Sequence, residues 1–336
     1  MNNVGRKAAL LAWGMLIPSG AAQEKTSPPS PLFRFAWITD MHLDERREEI
    51  VAGGLRAADE LRPHFVLITG DNNARPAPED PNRPEPLPLR RQRFLKDFLG
   101  RHLRAPAVII PGDNWPGDFE KVFGAFQYSF DFGGVHFLLL APDRRASGPG
   151  IEGLSVFDPP TWDWIRKDLE GNRAKPVLAA LHEPVYPPAF LDAPPLRRLL
   201  ARFPNVIAVL QGHLHVEAAW VADGKTYLVG PSLGAAPVPR FKLAEVHRDR
   251  IVFGTLFRAA GEDSFRRAEG ERTVEIPPLL REGLGEPRGP FAMGNRDSVP
   301  AHPVVEDPSL IGRRGELVRI LREFLWGRPP TGEKGP

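Results

Sequence analysis

The chain contains no cysteine. That absence excludes a disulfide framework, a thiol nucleophile, a cysteine-based zinc site and a lipid anchor on cysteine, so any metal must be held by nitrogen and oxygen ligands. An excess of charge is missing too, because 44 Lys+Arg against 42 Asp+Glu leave a formal net charge of +2. Bulk positive charge therefore cannot supply affinity for a polyanion, and no binding to a nucleic-acid scaffold is expected. The uncharged stretch at residues 8–17 is shorter than the roughly 20 apolar residues that span a bilayer, so no integral span is expected in the mature chain. Internal repeats, collagen-like periodicity and coiled-coil heptads are absent as well. What the chain has in plenty is glycine and proline, 32 and 38 of its 336 residues, a composition of loops on which function sits.

The order of the first residues is that of an export signal. Arg6 and Lys7 form a basic start, Leu10, Leu11, Trp13, Met15, Leu16 and Ile17 populate the apolar centre, and Gly20-Ala21-Ala22 supplies small residues for cleavage. Residues 1–22 are thus expected to be a signal peptide and 23–31 a flexible linker, with the mature protein secreted or periplasmic. A buried N-terminal helix is the alternative. From Phe33 short apolar runs alternate with amphipathic segments. Strands are expected at 33–39, 65–69, 107–110, 135–140, 177–181 and 206–210, mostly as continuous apolar runs of the kind covered on both faces. Helical spacing joins Ile50, Val51, Leu55, Ala58 and Leu61, and recurs at 95–103, 162–169 and 196–203. Alternating strands and helices define an α/β domain. Hairpin-like strands follow at 216–221, 226–229, 241–246 and 251–257. The core is expected to end near Arg258, giving a domain over 32–258 and a Pro/Gly-rich extension over 259–336, which lies on the domain or is partly disordered and carries one short helix within 310–326.

Polar residues capable of chemistry cluster where those strands end. The first strand runs into Asp40-Met41-His42, the second into Gly70-Asp71-Asn72, the third into Pro111-Gly112-Asp113-Asn114, the fifth into His182, and the sixth into Gln211-Gly212-His213-Leu214-His215. In open α/β sheets the C-terminal edge is where ligands bind, since strand ends project their loops into a common crevice. Asp and His without Cys suit divalent Zn, Mn or Fe, and a metal pair needs six to eight such ligands with one carboxylate shared. Asp40 with His42, and His213 with His215, are spaced to place two donors on one side of an extended chain.

The ordered set Asp40-x-His42, Gly70-Asp71, Gly112-Asp113-Asn114, His182 and Gly212-His213-x-His215 resembles the calcineurin-like, or binuclear, metallophosphoesterase superfamily over most of residues 33–258. The text at Tyr128 to Gly133, at 164–169 and at Lys175-Pro176 is similar too. The resemblance implies an α/β fold of two mixed β-sheets sandwiched between helices in four layers, here with a C-terminal extension. It implies two divalent metal ions, the first held by Asp40, His42 and His215, the second by Asp113, His182 and His213, with Asp71 bridging them. A bimetal-bridging hydroxide would attack a phosphate-ester substrate, either a phosphomonoester or a phosphodiester.

One departure bears on catalysis. After the third glycine the family usually carries Asn-His, the Asn on metal and the His assisting the leaving group, whereas this chain has Asp113-Asn114 followed by Trp115. Read without a gap, Asp113 is the ligand and Asn114 takes the catalytic position. Read one residue later, Asn114 is the ligand and Trp115 a pocket wall. The turn set by Pro111-Gly112 favours the first register. Asn72 and Asn73 could orient Asp71 or equally form the turn, and Trp115, Phe119, Tyr186 and Phe190 are loop aromatics next to ligands that could line a pocket, although loop aromatics more often simply pack. His136 and His64 are expected to take a hydrogen-bonded packing or surface role rather than a catalytic one. Two further functions stay open: a metal-binding protein of this fold that has lost catalysis and acts in binding, and an exported carbohydrate- or nucleotide-binding domain in which the cluster is coincidental. N-terminal sequencing of protein from its native host is expected to start near Gln23, and an intact Met1 on the abundant soluble species contradicts the export signal.

Overall fold

A computed structural model describes residues 30–146, 148 and 152–327. The expected signal peptide and residues 23–29 of the linker lie outside the described residues. The first half of the domain runs β1 (Phe33–Ile38), α1 (Glu48–Glu60), β2 (Phe65–Thr69), α2 (Leu87–His102), β3 (Ala107–Ile110), α3 (Phe119–Phe123), β4 (Tyr128–Phe132), β5 (Val135–Leu139), β6 (Arg144–Arg145) and β7 (Ser155–Val156). Then come α4 (Pro159–Gly171), β8 (Val177–Ala180), α5 (Ala193–Ala201), β9 (Val206–Gln211), β10 (Ala218–Ala222), β11 (Lys225–Val229), β12 (Arg240–Val246) and β13 (Arg250–Phe257). The tail adds β14 (Arg266–Arg267), β15 (Arg272–Glu275), β16 (Gly294–Ser298), β17 (Val305–Glu306) and α6 (Arg314–Trp326).

Two mixed sheets carry the molecule. One is ordered β14-β13-β12-β1-β2-β3, with β15 also on β13; the other is β10-β11-β9-β8-β5-β4-β16. The centre of each is parallel, β1 with β2 and β3 in the first, β5 with β8 and β9 in the second. Parallel strands are covered on both faces, which is why β2, β5, β8 and β9 are buried along their whole length. Helices α1 and α2 cover the first sheet through Val51, Leu55, Leu95 and Phe98, and α4 and α5 cover the second through Ile165, Leu169, Leu196 and Leu200. Between the sheets Phe35, Trp37, Phe65, Phe130 and Phe137 interdigitate. The four-layer α/β expectation is met. Proline starts several of these helices: Pro159 in α4 and the residues after Ala193 in α5 sit in the first turn, where a missing N–H costs no helical bond.

The core does not stop at Arg258. Val274, Ile276, Leu280 and Leu284 are buried in the inter-sheet cluster, and the Phe291 ring lies 4.9 Å from that of Phe65. The extension is thus stitched into the domain, by β14 and β15 on β13, β16 on β4 and β17 on β6. Its strands of two to five residues are too short to show a periodicity. His136 packs, as expected: its ring spans Asp131 at 2.7 Å and Asp168 at 2.8 Å. Burial alone lowers its pKa, and the two carboxylates outweigh that and raise it. Among the described residues no helix is long and apolar enough to cross a membrane.

The aromatic seam sets a stability prediction. The Phe137 ring stacks on Phe130 at 4.9 Å and meets the Phe35 and Phe65 rings edge-on at 5.6 and 5.4 Å. Phe137→Ala, which opens a cavity between the sheets, is expected to lower unfolding free energy by about 3–5 kcal/mol in chemical denaturation. A loss under about 1 kcal/mol contradicts a rigidly packed seam.

Candidate metal centre

All the expected site residues converge at one edge of the paired sheets. Asp40, His42 and Asp71 follow β1 and β2, Asp113 and Asn114 follow β3, His182 follows β8, and His213 and His215 follow β9. The turns that aim them are tight. Asp40 (φ 53°), His42 (43°), Asp71 (49°), His213 (70°) and His215 (55°) all adopt the left-handed backbone region that non-glycine residues seldom occupy. Local conformational cost of this kind persists only where surrounding contacts impose it, and it gathers at functional sites. Two glycines make the approach possible. A Cβ on Gly112 would collide with the Asp71 carboxylate and backbone nitrogen, and one on Gly212 with the Thr39 hydroxyl.

The seven acids and histidines fall into two groups, each with donor atoms close enough to hold one metal ion: Asp40, His42, Asp71 and His215 in one, Asp113, His182 and His213 in the other. In the first, His42 Nε2 lies 3.0 Å from His215 Nε2, and His215 Nε2 lies 3.2 Å from Asp40 Oδ1. In the second, Asp113 Oδ1 lies 3.0 Å from His182 Nε2 and 3.2 Å from His213 Nδ1. Asp71 faces both. Its Oδ2 is 3.3 Å from His42 Nε2 and its Oδ1 is 3.4 Å from His182 Nε2.

The hydrogen-bond pattern fits a cation pair. His182 Nδ1 donates to the Thr69 carbonyl at 2.9 Å, which turns Nε2 into the site, where Asp113 Oδ1 lies 3.0 Å away. An imidazole nitrogen facing a carboxylate needs positive charge between them, which a proton or a metal ion supplies. The carboxylates are oriented from behind. Asp40 accepts from the Thr39 hydroxyl at 2.8 Å and from the His213 backbone N–H at 3.0 Å. Asp71 accepts from the Asn114 backbone N–H at 2.9 Å and from its side-chain amide at 2.7 Å.

Electrostatics carry the same information. Burial alone would raise the Asp40 and Asp113 carboxyls, yet the surrounding histidines hold both below the usual range, Asp113 well below it. Burial alone would lower His182 and His213, yet Asp71, Asp40 and Asp113 raise His182 well above, and Asp113 raises His213. In each case pairing of opposite charges outweighs desolvation.

A cavity of about 550 Å³ opens beside the second group, with Asp113, Asn114, Trp115, Arg145 and Glu183 in its wall. Of the four loop aromatics expected near the ligands only Trp115 lines it, its ring edge-on to His42 at 5.8 Å. Phe119 and Phe190 are buried in the helix-side cores instead, and Tyr186 packs on Tyr227 at 5.4 Å. Hydrophobic side chains beside polar loops were drawn inward, which loop position alone does not reveal. Asn72 and Asn73 also differ from a role at Asp71: their amides donate to the carbonyls of Ile110, and of Arg75 and Arg91. Arg145 and Glu183 belong to the cavity without having been singled out as a pair. Their signal in the sequence is weak, an Arg-Arg doublet past β5 and an acid beside a candidate ligand.

The chain belongs to the calcineurin-like phosphoesterase family, whose profile matches residues 33–217. Over 225 residues it is 27% identical to the 3',5'-cyclic adenosine monophosphate phosphodiesterase CpdA of Escherichia coli (strain K12), covering 59% of this chain and 75% of that protein. A crystal structure of a dimetal phosphatase from Danio rerio superposes with a TM-score of 0.57 at 14% identity, over 74% of this chain and all of the other. GAP50, described as the anchor in the inner membrane complex of Plasmodium, superposes at 0.50 with 12% identity, over 76% of this chain and 91% of the other. With the two donor groups in place, the protein is a metal-dependent phosphoesterase.

The shared position of Asp71 generates a test. Asp71→Ala is expected to lose both ions, whereas His42→Ala empties mainly the first group and His182→Ala mainly the second, each retaining about one ion per chain. Elemental analysis of the three purified variants reads this directly. Full metal retention in Asp71→Ala contradicts a shared carboxylate.

Proposed function

We propose that this chain is an exported hydrolase of phosphate esters in which Asp40, His42 and His215 hold one divalent cation, Asp113, His182 and His213 hold a second, and Asp71 spans the two. The observation that carries the proposal is the two-sided placement of Asp71, one oxygen toward each histidine group. Zn, Mn and Fe all suit ligands of this kind. A bound pair supplies a water of lowered pKa and clamps the attacking and phosphoryl oxygens. Export rests on residues 1–22 and their basic, apolar, small-residue order.

The protein's own groups set the charge and the proton supply. Three carboxylates against two divalent cations leave the centre one positive charge short of the two that an Asn ligand in place of Asp113 would leave. Such a centre holds metal firmly and a dianion less firmly, so a phosphodiester, with one negative charge, suits it better than a phosphomonoester. The Escherichia coli relative is named for a cyclic phosphodiester substrate, which agrees with that preference. Asn114 stands where the family's leaving-group histidine does in the gapless register, and the short contact of Asp113 with His182 and His213 favours that register. Its amide donates hydrogen bonds, to Asp71 here, and cannot deliver a proton at neutral pH. General-acid help is worth about 10²–10⁴ in rate, so esters of basic alcohols should turn over slowly.

A leaving-group series tests this. Wild-type kcat/KM on aryl and alkyl phosphodiesters is expected to fall steeply as the departing alcohol becomes more basic, and Asn114→His to flatten that slope by speeding alkyl esters most. A wild type already insensitive to leaving-group basicity, or a uniform effect of the substitution, contradicts the role of Asn114. Metal content is measured alongside, since a new histidine could capture an ion.

A further inference from the structure

Helix α6 carries a surface that the metal chemistry does not use. Its inner face follows the helical spacing of Leu317, Ile320 and Phe324. Ile320 is buried, Leu317 packs against the cluster that includes Leu154, Val156 and Leu310, and the Phe324 ring meets that of Tyr186 at 5.2 Å. Those contacts hold the helix on the domain. The outer face is different. Of the ten large apolar side chains exposed among the described residues, five lie within 311–326: Ile311, Val318, Leu321, Leu325 at 62% and Trp326 at 77%. The charged residues exposed on α6 are Arg314, Arg319 and Arg322, all of one sign. Its two acids, Glu316 and Glu323, are half-buried. Glu316 pairs with Arg313 at 2.9 Å, and Glu323 lies in a groove against Arg197 and Arg198 of α5 as well as 3.0 Å from Arg319. A merely solvated helix face mixes charges of both signs and keeps apolar side chains scattered. Here the exposed side gathers apolar side chains among arginines.

We propose that α6 is an interfacial helix that docks the protein on an anionic lipid surface. Whatever covers this face must accept apolar side chains and guanidinium groups together. The boundary of an anionic bilayer does both, offering acyl chains to Val318, Leu321 and Leu325 and phosphates to Arg314, Arg319 and Arg322. The arginine stems lie along apolar surface while their heads stay at the phosphates. Trp326, at the end of the helix, joins an apolar body to one polar N–H, the combination that settles at the water–bilayer boundary. The positive charge is a local concentration, because the whole chain carries a formal net charge of only +2. A second copy of the chain fits the face poorly. A two-fold interface sets the same patch against itself and would bring the three arginines against three more. The Arg319–Glu323 pair is an exposed contact of small worth, which a lipid phosphate can displace.

Vesicle flotation of the full chain, purified from its native host, tests the docking face. Two preparations are compared, pure phosphatidylcholine and an equal mixture of phosphatidylcholine with phosphatidylglycerol. The wild type is expected to partition onto the mixed vesicles roughly tenfold or more strongly than onto the pure ones, and to lose most of that preference at high salt. The double variant Arg319→Gln with Arg322→Gln is expected to cut the preference about tenfold, since each arginine near an anionic surface contributes to binding. The triple variant Leu321→Ser, Leu325→Ser and Trp326→Ser is expected to lower partitioning onto the mixed vesicles roughly tenfold or more while leaving the denaturation midpoint in place, because all three side chains are exposed. Absence of wild-type binding, equal binding to both preparations, or undiminished binding in whichever variant keeps the wild-type midpoint overturns the proposal. So does a dimer in sedimentation velocity that these substitutions disperse, which assigns the face to a second copy. Flotation needs no turnover, and none of the changed residues belongs to the metal centre. A chain that floats but hydrolyses no ester loses the catalytic proposal alone, and one that hydrolyses an aryl diester without floating loses the docking face alone.

Discussion

Three carboxylates and four imidazoles aimed at one small volume would repel, or waste their lone pairs, unless positive charge lay between them. Every other feature of the site follows from that constraint. Asp40 and Asp71 are buried, where an unpaired anion is most costly, and the buried Nε2 of His182 faces Asp113 at 3.0 Å and Asp71 at 3.4 Å. Protons can satisfy part of this demand, which is why the histidines nearest the acids are held toward their charged form. Two divalent cations satisfy it in full.

The convergence is expensive in backbone terms, and the fold is organised to sustain it. Five of the seven donors sit on residues with left-handed φ, and Gly112 and Gly212 permit approaches that any side chain would block. Parallel strands β1–β2–β3 and β5–β8–β9 bring those turns to a common edge, and the phenylalanine seam between the sheets holds the two edges in register. Hydrogen bonds from Thr39, from the His213 backbone and from Asn114 then orient Asp40 and Asp71 before any ligand arrives. Orientation paid in advance in this way is what lets a site act on developing charge without rearranging.

Much of this was legible in the sequence, because buried parallel strands are short apolar runs and the donors fall immediately after them. The sheet-edge cluster needed only the strand ends of 33–39, 65–69, 107–110, 177–181 and 206–210 to be located. The tail was not legible. Strands of two residues have no period, and Ile276, Leu280 and Leu284 enter the inter-sheet core from text dominated by Pro, Glu and Arg. Phe119 and Phe190 stand beside ligands in the sequence and are core by packing, the commoner fate of loop aromatics. Arg145 was hidden for the opposite reason, since a charged doublet in a loop reads as solvated surface, and only three-dimensional burial makes it informative.

The central claim is that these seven side chains form one centre for two cations. Its most direct measurement is metal titration of the chelator-stripped full chain, following bound ions by elemental analysis and the denaturation midpoint together. Binding of two ions per chain, with a midpoint that climbs as free metal rises, is the expected result, because ligands that bind only the folded state stabilise it by mass action. A chain that binds less than one ion and melts at the same temperature with and without metal contradicts the account.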